Sequence, residues 1–259
     1  MTEPLCRITD LSVRYRHNTA LTHVSLDLIG GERLAIVGES GSGKSTFARA
    51  LAGLLPDNAV RDGDIQWSSE RAPRPGRDIG FVFQDSSASL NPVLRIGEQV
   101  AEGAKRHLGM SWKAAYAHAE MLLDHVRIPN PSAVMRAYPR QLSGGQRQRV
   151  AIAAAIASRP SILIADEATS ALDTVVQAEI TALLDRLVSE AAMTLIFVTH
   201  DIALASNLAD RIAVLKDGRL VEIGPVSDIL ADPKSDDTRN LLAGHFDLTS
   251  APLIGGQRR

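Results

Sequence analysis

The chain has a single cysteine, Cys6, among 259 residues. No disulfide can form within it, and no cysteine cluster can bind a metal. A reducing compartment is its natural setting. An excess of positive charge is also lacking. The formal net charge is -2, so no basic field points to nucleic acid. Long apolar runs are absent. Val150–Ala157 and Ile162–Ala165 fall far short of the roughly 18 apolar residues that a membrane-spanning helix needs. The first residues, MTEPLCRITD, carry an acid at Glu3 and no apolar stretch, so no secretory signal is expected there. What remains is ordinary globular composition, 45% hydrophobic and 22% charged, enough to bury a substantial core.

Strands and helices alternate before and after a helical stretch. Arg7–Tyr15 and Ala20–Leu28 read as strands, with Gly30 and Gly31 as punctuation. Arg33–Val37 is a short apolar run that reads as a buried strand. Phe47, Leu51, Leu54 and Leu55 then follow helical spacing, and Pro56 stops them. Ser68–Asp78, rich in Pro, Arg and Ser, reads as an exposed loop whose arginines are solvated. Ile79–Phe83 reads as a strand. Helices are expected over Glu98–Leu108, Ser111–Val126 and Gly145–Ser158. Strands return at Ser161–Ala165 and Thr194–Val198, with a helix near Val175–Ala191 between them. Arg211–Lys216 turns at Asp217-Gly218 into Arg219–Glu222, a hairpin signal. Gly255–Arg259 reads as a frayed tail. This order predicts an α/β sandwich with a parallel sheet and a helical subdomain.

Residues Gly38–Ser45, GESGSGKS, form G-x-x-x-x-G-K-S between a predicted strand and a predicted helix. Gly38, Gly41 and Gly43 let the backbone N–H groups, with Ser40 and Ser42, curl around phosphate oxygens. A helix starting near Lys44 adds its positive end. Lys44 is expected to reach the β- and γ-phosphates, Ser45 to hold Mg²⁺ and Thr46 to touch the α-phosphate. Ile162–Glu167, ILIADE, ends a buried strand on two carboxylates, where ligands of open α/β sheets bind. Asp166 is the candidate metal ligand and Glu167 the candidate general base.

Leu142–Gln146 reads LSGGQ, and with it the order of motifs resembles the ATP-binding-cassette (ABC) family over about Leu5 to Leu242. Gln84 in FVFQD resembles that family's Q-loop, Ser170–Asp173 its D-loop, His200 in VTHD its switch histidine and Tyr15 its adenine-stacking aromatic. The resemblance implies a P-loop NTPase ABC ATPase domain: a RecA-like core, an N-terminal antiparallel β subdomain and a helical subdomain inserted at about 86–158. The cassette is expected over 1–242, with a short tail over 243–259.

The resemblance also implies ATP and Mg²⁺ as cofactors. Glu167, His200 and Gln84 would be catalytic, and Ser45, Gln84 and Asp166 would face the metal. Ser143, Gly144, Gly145, Gln146 and Asp173 would serve the nucleotide of an opposite cassette. Ser143-Gly144-Gly145 opens a helix, so bare N–H groups and a hydroxyl can meet an anion. Gln84 alone reads equally as a solvated loop amide, and Tyr15 as core filler.

Several stretches look like the dipeptide, oligopeptide and nickel importers. They are Phe83–Gly97, Tyr138–Gln141, Val176-Gln177, Ala209–Arg211, Gly224-Pro225 and Thr238–Leu242. Departures are Ala168, where the family has proline, and Asp236-Asp237-Thr238 in place of an HPYT pattern. The implied function is the ATP-hydrolysing subunit of an importer of peptides or of nickel or metallophore complexes. The implied partners are a second cassette, identical or not, two permease subunits and, through them, an extracytoplasmic binding protein. The implied location is peripheral, on the cytoplasmic face of the inner membrane. The alternative is a soluble ABC ATPase acting on ribosomes or DNA. One cassette, no sustained heptads and a slight negative charge weigh against that.

Overall fold

The computed structural model describes residues 3–16, 18–85, 89–169 and 172–245. The expected frayed tail at 255–259 lies outside the described residues, as do Ser170 and Ala171 of the expected D-loop.

Two sheets organise the chain. The first is three-stranded and antiparallel, in the order β2-β1-β4: β1 is Cys6–Tyr15, β2 Asn18–Leu28 and β4 Ala59–Trp67. The second has six strands in the order β5-β6-β7-β3-β8-β9. Here β3 is Arg33–Val37, β5 Ile79–Val82, β6 Ile162–Asp166, β7 Thr194–Thr199, β8 Arg211–Lys216 and β9 Arg219–Pro225. The first five strands of that order run parallel, and β9 returns antiparallel to β8. All residues of β6 and β7 are buried, as the near-continuous apolar runs of a sheet covered on both faces require.

Residue parity divides the core. Ala35, Val37, Leu163, Ala165, Leu195, Phe197, Ile212 and Val214 face one apolar cluster. Their strand neighbours Leu34, Ile36, Ile162, Ile164, Ile196, Val198, Ala213 and Leu215 face the other. This is the two-residue period of a strand, repeated in register across four strands. The second cluster also takes in α1, Lys44–Ala52, through Phe47, Ala48 and Leu51, together with the three-stranded sheet. Gly53 ends α1 with φ 67°, a left-handed cap that an L side chain would strain.

The first cluster holds the helices. Between β5 and β6 come α2 (Ile96–His107), α3 (Trp112–His125), the single turn α4 (Pro131–Val134) and α5 (Gly144–Ile156). After β6 come α6 (Thr174–Ala191), α7 (Ile202–Leu208), α8 (Val226–Ala231) and α9 (Asp236–His245). Helix α9 runs to His245, past the expected boundary at 242. It is anchored on β9, where Glu222 accepts the N–H groups of Lys234 (2.8 Å) and Ser235 (3.0 Å). Its Asp237 pairs with Lys216 at 2.5 Å, at the end of β8.

Strand β4 was not expected from the sequence. Its residues are half-buried or exposed, and it includes Arg61, Asp62, Gly63 and Asp64. Pairing with β1 makes it a strand, and no local periodicity announces it.

Candidate active site

The C-terminal ends of β3 and β6 deliver the two halves of one open cleft of about 590 Å³. Strand β3 runs into the glycine-rich loop and then α1. Gly43 precedes α1 with φ 98°, and an added Cβ there would sit 2.5 Å from the Ala20 carbonyl oxygen. Gly38 is equally constrained, with φ 152° and the Leu215 carbonyl 2.1 Å from where a Cβ would stand. Only glycine fits either place.

Lys44, the first residue of α1, is almost fully buried and donates from Nζ to the carbonyls of Gly38 (2.8 Å) and Glu39 (2.7 Å). Glu167 Oε1 lies 3.9 Å from the same nitrogen. Burial pushes the Lys44 ammonium below its ordinary range, and Glu167 and Asp166 partly offset this. Ser45 donates from Oγ to Asp166 Oδ1 at 2.6 Å. Asp166 closes β6, fully buried, and its Oδ2 has no hydrogen-bond partner among the described residues. Burial raises its carboxyl above the usual range, against the Ser45 bond and the nearby Arg49 and Lys44 charges.

Glu167 leaves the strand with φ 45°, a left-handed conformation rare for glutamate, held by its N–H bond to the Val198 carbonyl (3.0 Å). Gln84, two residues past β5, donates from Nε2 to Glu167 Oε2 at 2.7 Å. The cleft thus joins Gln84, Lys44, Ser45 and Glu167, which the chain order separates widely, with Asp166 buried directly behind Ser45.

Tyr15 forms the far wall. It is half-buried, and its hydroxyl lies 3.4 Å from Thr46 Oγ1. Ser40, Gly41, Gly43 and Thr46 also line the cleft, whereas Ser42 is buried behind it with its hydroxyl unpartnered among the described residues. Sequence reasoning missed Asn18, Thr19 and Ala20 at the start of β2, and Asp217 and Gly218 at the β8–β9 turn, all lining residues. The hairpin was legible but its destination was not. The Thr22 N–H donates to the Gly218 carbonyl (2.8 Å) and the Gly218 N–H to the Ser42 carbonyl (3.1 Å), tying turn, strand and loop together.

His200, Ser143, Gly144, Gly145, Gln146 and Asp173 do not line the cleft. His200 is exposed and follows β7 directly, at the same sheet edge as Asp166, because Asp166 pairs with Val198. Ser143 caps α5: its Oγ accepts the Gln146 N–H (3.2 Å), while Gln146 Oε1 accepts the Ser143 N–H (3.0 Å). A Cβ on Gly145 would lie 2.9 Å from Val176 Cγ1, so α5 and the first turn of α6 meet too closely for alanine. Asp173 caps α6 by accepting the Val176 N–H at 3.0 Å.

The profile of the ABC transporter family matches residues 21–170. The chain belongs to the ABC transporter family. It is 41% identical to a glutathione import ATP-binding protein of Salmonella paratyphi A over 97% of its own length. It covers only 42% of that relative, so it spans less than half of the curated relative's length. It is 43% identical to a putative peptide import ATP-binding protein of Brucella abortus, covering 98% of this chain and 82% of the relative. Among solved structures, a dimeric ATP-binding cassette in a post-hydrolysis state, bound to ADP and Pi, superposes with a TM-score of 0.74. It is 32% identical, over 85% of this chain and 98% of that one.

The family implies a magnesium ion beside the nucleotide, and the residues present fit it. Hard divalent cations take oxygen ligands. The Ser45 hydroxyl and the Asp166 carboxylate meet at the cleft, and Asp166 Oδ2 is a buried acceptor with no hydrogen-bond donor. Among the described residues no group of three His, Cys, Asp or Glu side chains could hold a metal alone.

Proposed function

We propose that this chain is the ATP-binding and ATP-hydrolysing subunit of a peptide-class importer. The observation that carries the reading is the joining of Lys44, Ser45, Gln84 and Glu167 in one cleft, with Asp166 buried against Ser45. A phosphate entering it competes with the Gly38 and Glu39 carbonyls for the Lys44 ammonium. It also meets the loop N–H groups and the positive end of α1. Tyr15 offers a ring face to adenine. Ser45 and Asp166 would hold magnesium with Gln84 nearby, and the ion would supply positive charge against the phosphates. Once Gln84 releases it, Glu167 accepts a proton from the attacking water at a carboxylate oxygen. His200, at the same sheet edge, steadies that water or the γ-phosphate.

Ser143, Gly144, Gly145, Gln146 and Asp173 stand outside the cleft, which suits a role at the nucleotide of a second cassette, identical or not. The capped start of α5 directs N–H groups at an anion there. The cassette spans about 1–242, with its helical subdomain at about 86–158 and a tail from 243.

For docking to two permease subunits, the support is an apolar groove of about 430 Å³ lined by Phe81, Phe83, Leu90, Ala151 and Ala155. Val93 and Leu94 stand exposed near it in sequence. Among the described residues no helix is long and apolar enough to cross a membrane. Peripheral attachment at the cytoplasmic face of the inner membrane follows from permease docking, and an extracytoplasmic binding protein would act through the permeases. The relatives described above are named for glutathione and peptide import and neither for a metal, which favours peptides over nickel complexes. No basic field supports the ribosome or DNA alternative.

The test has two parts. Glu167→Gln lowers steady-state ATP turnover by about 100-fold or more while retaining ATP, as loss of a general base requires; unchanged turnover removes Glu167 from that role. Capture of the tagged chain from detergent-solubilised membranes brings permease chains and a second cassette. Capture of ribosomal or DNA-repair proteins without a permease refutes the importer.

A further inference from the structure

The β8–β9 turn brings a carboxylate into the cleft that none of the motifs accounts for. Asp217 adopts φ 47° and Gly218 φ 76°, the pair of positive values that a two-residue hairpin turn needs. The turn is wedged into the site and is not free on the surface. Gly218 bonds Thr22 on one side and Ser42 on the other, and its Cα lies 3.5 Å from where a Gly43 Cβ would stand. Asp217 is exposed on the cleft wall, beside Asn18, Thr19 and Ala20. Its carboxylate takes part in no hydrogen bond or ion pair among the described residues. The adjacent Lys216 is held elsewhere, by Asp237 of α9.

Position along the cleft decides what this carboxylate meets. In the nucleotide reading Lys44 and Ser45 mark the phosphate end and the Tyr15 ring the base end, all three lining the cleft. The turn abuts Gly43 and Ala20, between the two. The part of a nucleoside triphosphate that lies between base and phosphates is the ribose, which offers two hydroxyl donors. A carboxylate is an acceptor only, so it suits hydroxyls and repels phosphate. We propose that Asp217 reads the ribose hydroxyls, making this cassette selective for ribonucleotides over deoxyribonucleotides. The proposal rests on the nucleotide-site reading above.

The experiment compares equilibrium binding of ATP, 2′-deoxy-ATP and 3′-deoxy-ATP to the purified chain. Asp217→Gly removes the carboxylate yet keeps a residue at home at positive φ. Asp217→Asn keeps an acceptor without its charge and also tolerates the turn. The wild type prefers ATP to at least one deoxy analogue by about 5- to 10-fold, the effect of one partly exposed charge-assisted hydrogen bond. In Asp217→Gly the ratio falls to near unity, and in Asp217→Asn it lies between. A ratio already near unity in the wild type, or one that Asp217→Gly leaves intact, overturns the proposal. So does a uniform tightening of all three nucleotides with an unchanged ratio, which would make Asp217 only a repulsive charge. Lys44→Ala separates the two levels. ATP binding that depends on Lys44 with no ribose selectivity sinks this proposal alone, whereas no saturable ATP binding in the wild type sinks the nucleotide reading and this proposal together.

Discussion

Replacing Asp166 by asparagine sets the stability of the fold against the chemistry of its site. Asp166 is fully buried at the end of β6, bonded to Ser45 through Oδ1 and without a hydrogen-bond partner at Oδ2 among the described residues. Burial raises its carboxyl, so in the absence of metal the ionised group destabilises the fold. The amide keeps the shape and the Ser45 bond and removes the charge. A buried acceptor without a partner costs about 1–3 kcal/mol, and more when charged. Part of the gain is returned, because the amide buries N–H donors of its own. The net expectation for Asp166→Asn is a gain of about 1 kcal/mol, which for a chain of this size raises Tm by about 2–4 °C.

The sign with pH follows from linkage. A carboxyl whose folded pKa is raised destabilises fully where it is ionised in both states. That penalty fades as pH falls through the folded pKa toward the ordinary value of 3.8. Thermal melts without nucleotide or magnesium should show the variant ahead at neutral pH and the gap closing in acid. A variant less stable than the wild type at neutral pH would refute the reasoning, because burial would then not dominate at this carboxyl. Added magnesium nucleotide should reverse the order, since only the wild type presents the carboxylate.

Lys44→Ala should weaken ATP binding by at least about 10-fold, the surplus of its phosphate contact over the two carbonyl bonds it surrenders; undiminished affinity in a titration contradicts the cradle. Gly145→Ala should cost about 1–3 kcal/mol in chemical denaturation, because its Cβ meets Val176 Cγ1 at 2.9 Å. Adding Val176→Ala should restore most of that loss, and two additive costs would show that the contact is not the cause.

Much of the candidate site was legible because each residue proposed for it sits in a short local pattern at a strand end. RLAIVGESGSGKS, ILIADE and TLIFVTHD each pair an apolar run, which announces a buried strand, with the polar residues that follow it. What escaped depends on contacts that no local pattern records. Ala20 read as the opening of an ordinary strand with Asn18 and Thr19 just before it, and Asp217-Gly218 as an ordinary turn, although the fold brings both stretches to the cleft. Strand β4 escaped for a related reason: its sequence carries charged residues and glycine where alternation would announce a strand, and only β1 holds it extended. The need for glycine at 145 comes from Val176, a residue on another helix. Asp173 was read as a group for a second cassette, and its bond within this chain is a helix cap.

The division of the core by residue parity dictates where this polypeptide can change length. One residue inserted or deleted within β6 would exchange the two faces of the strand. Leu163 and Ala165 would swap clusters with Ile162 and Ile164, and the carboxylate that meets Ser45 would turn to the opposite side. Strands β3, β7 and β8 obey the same arithmetic, so each counts residues as strictly as it selects them. The exposed stretch Ser68–Ala72 is under no such count. Length differences among related chains should therefore gather there and spare the four strands, whose residue number aims the reacting groups.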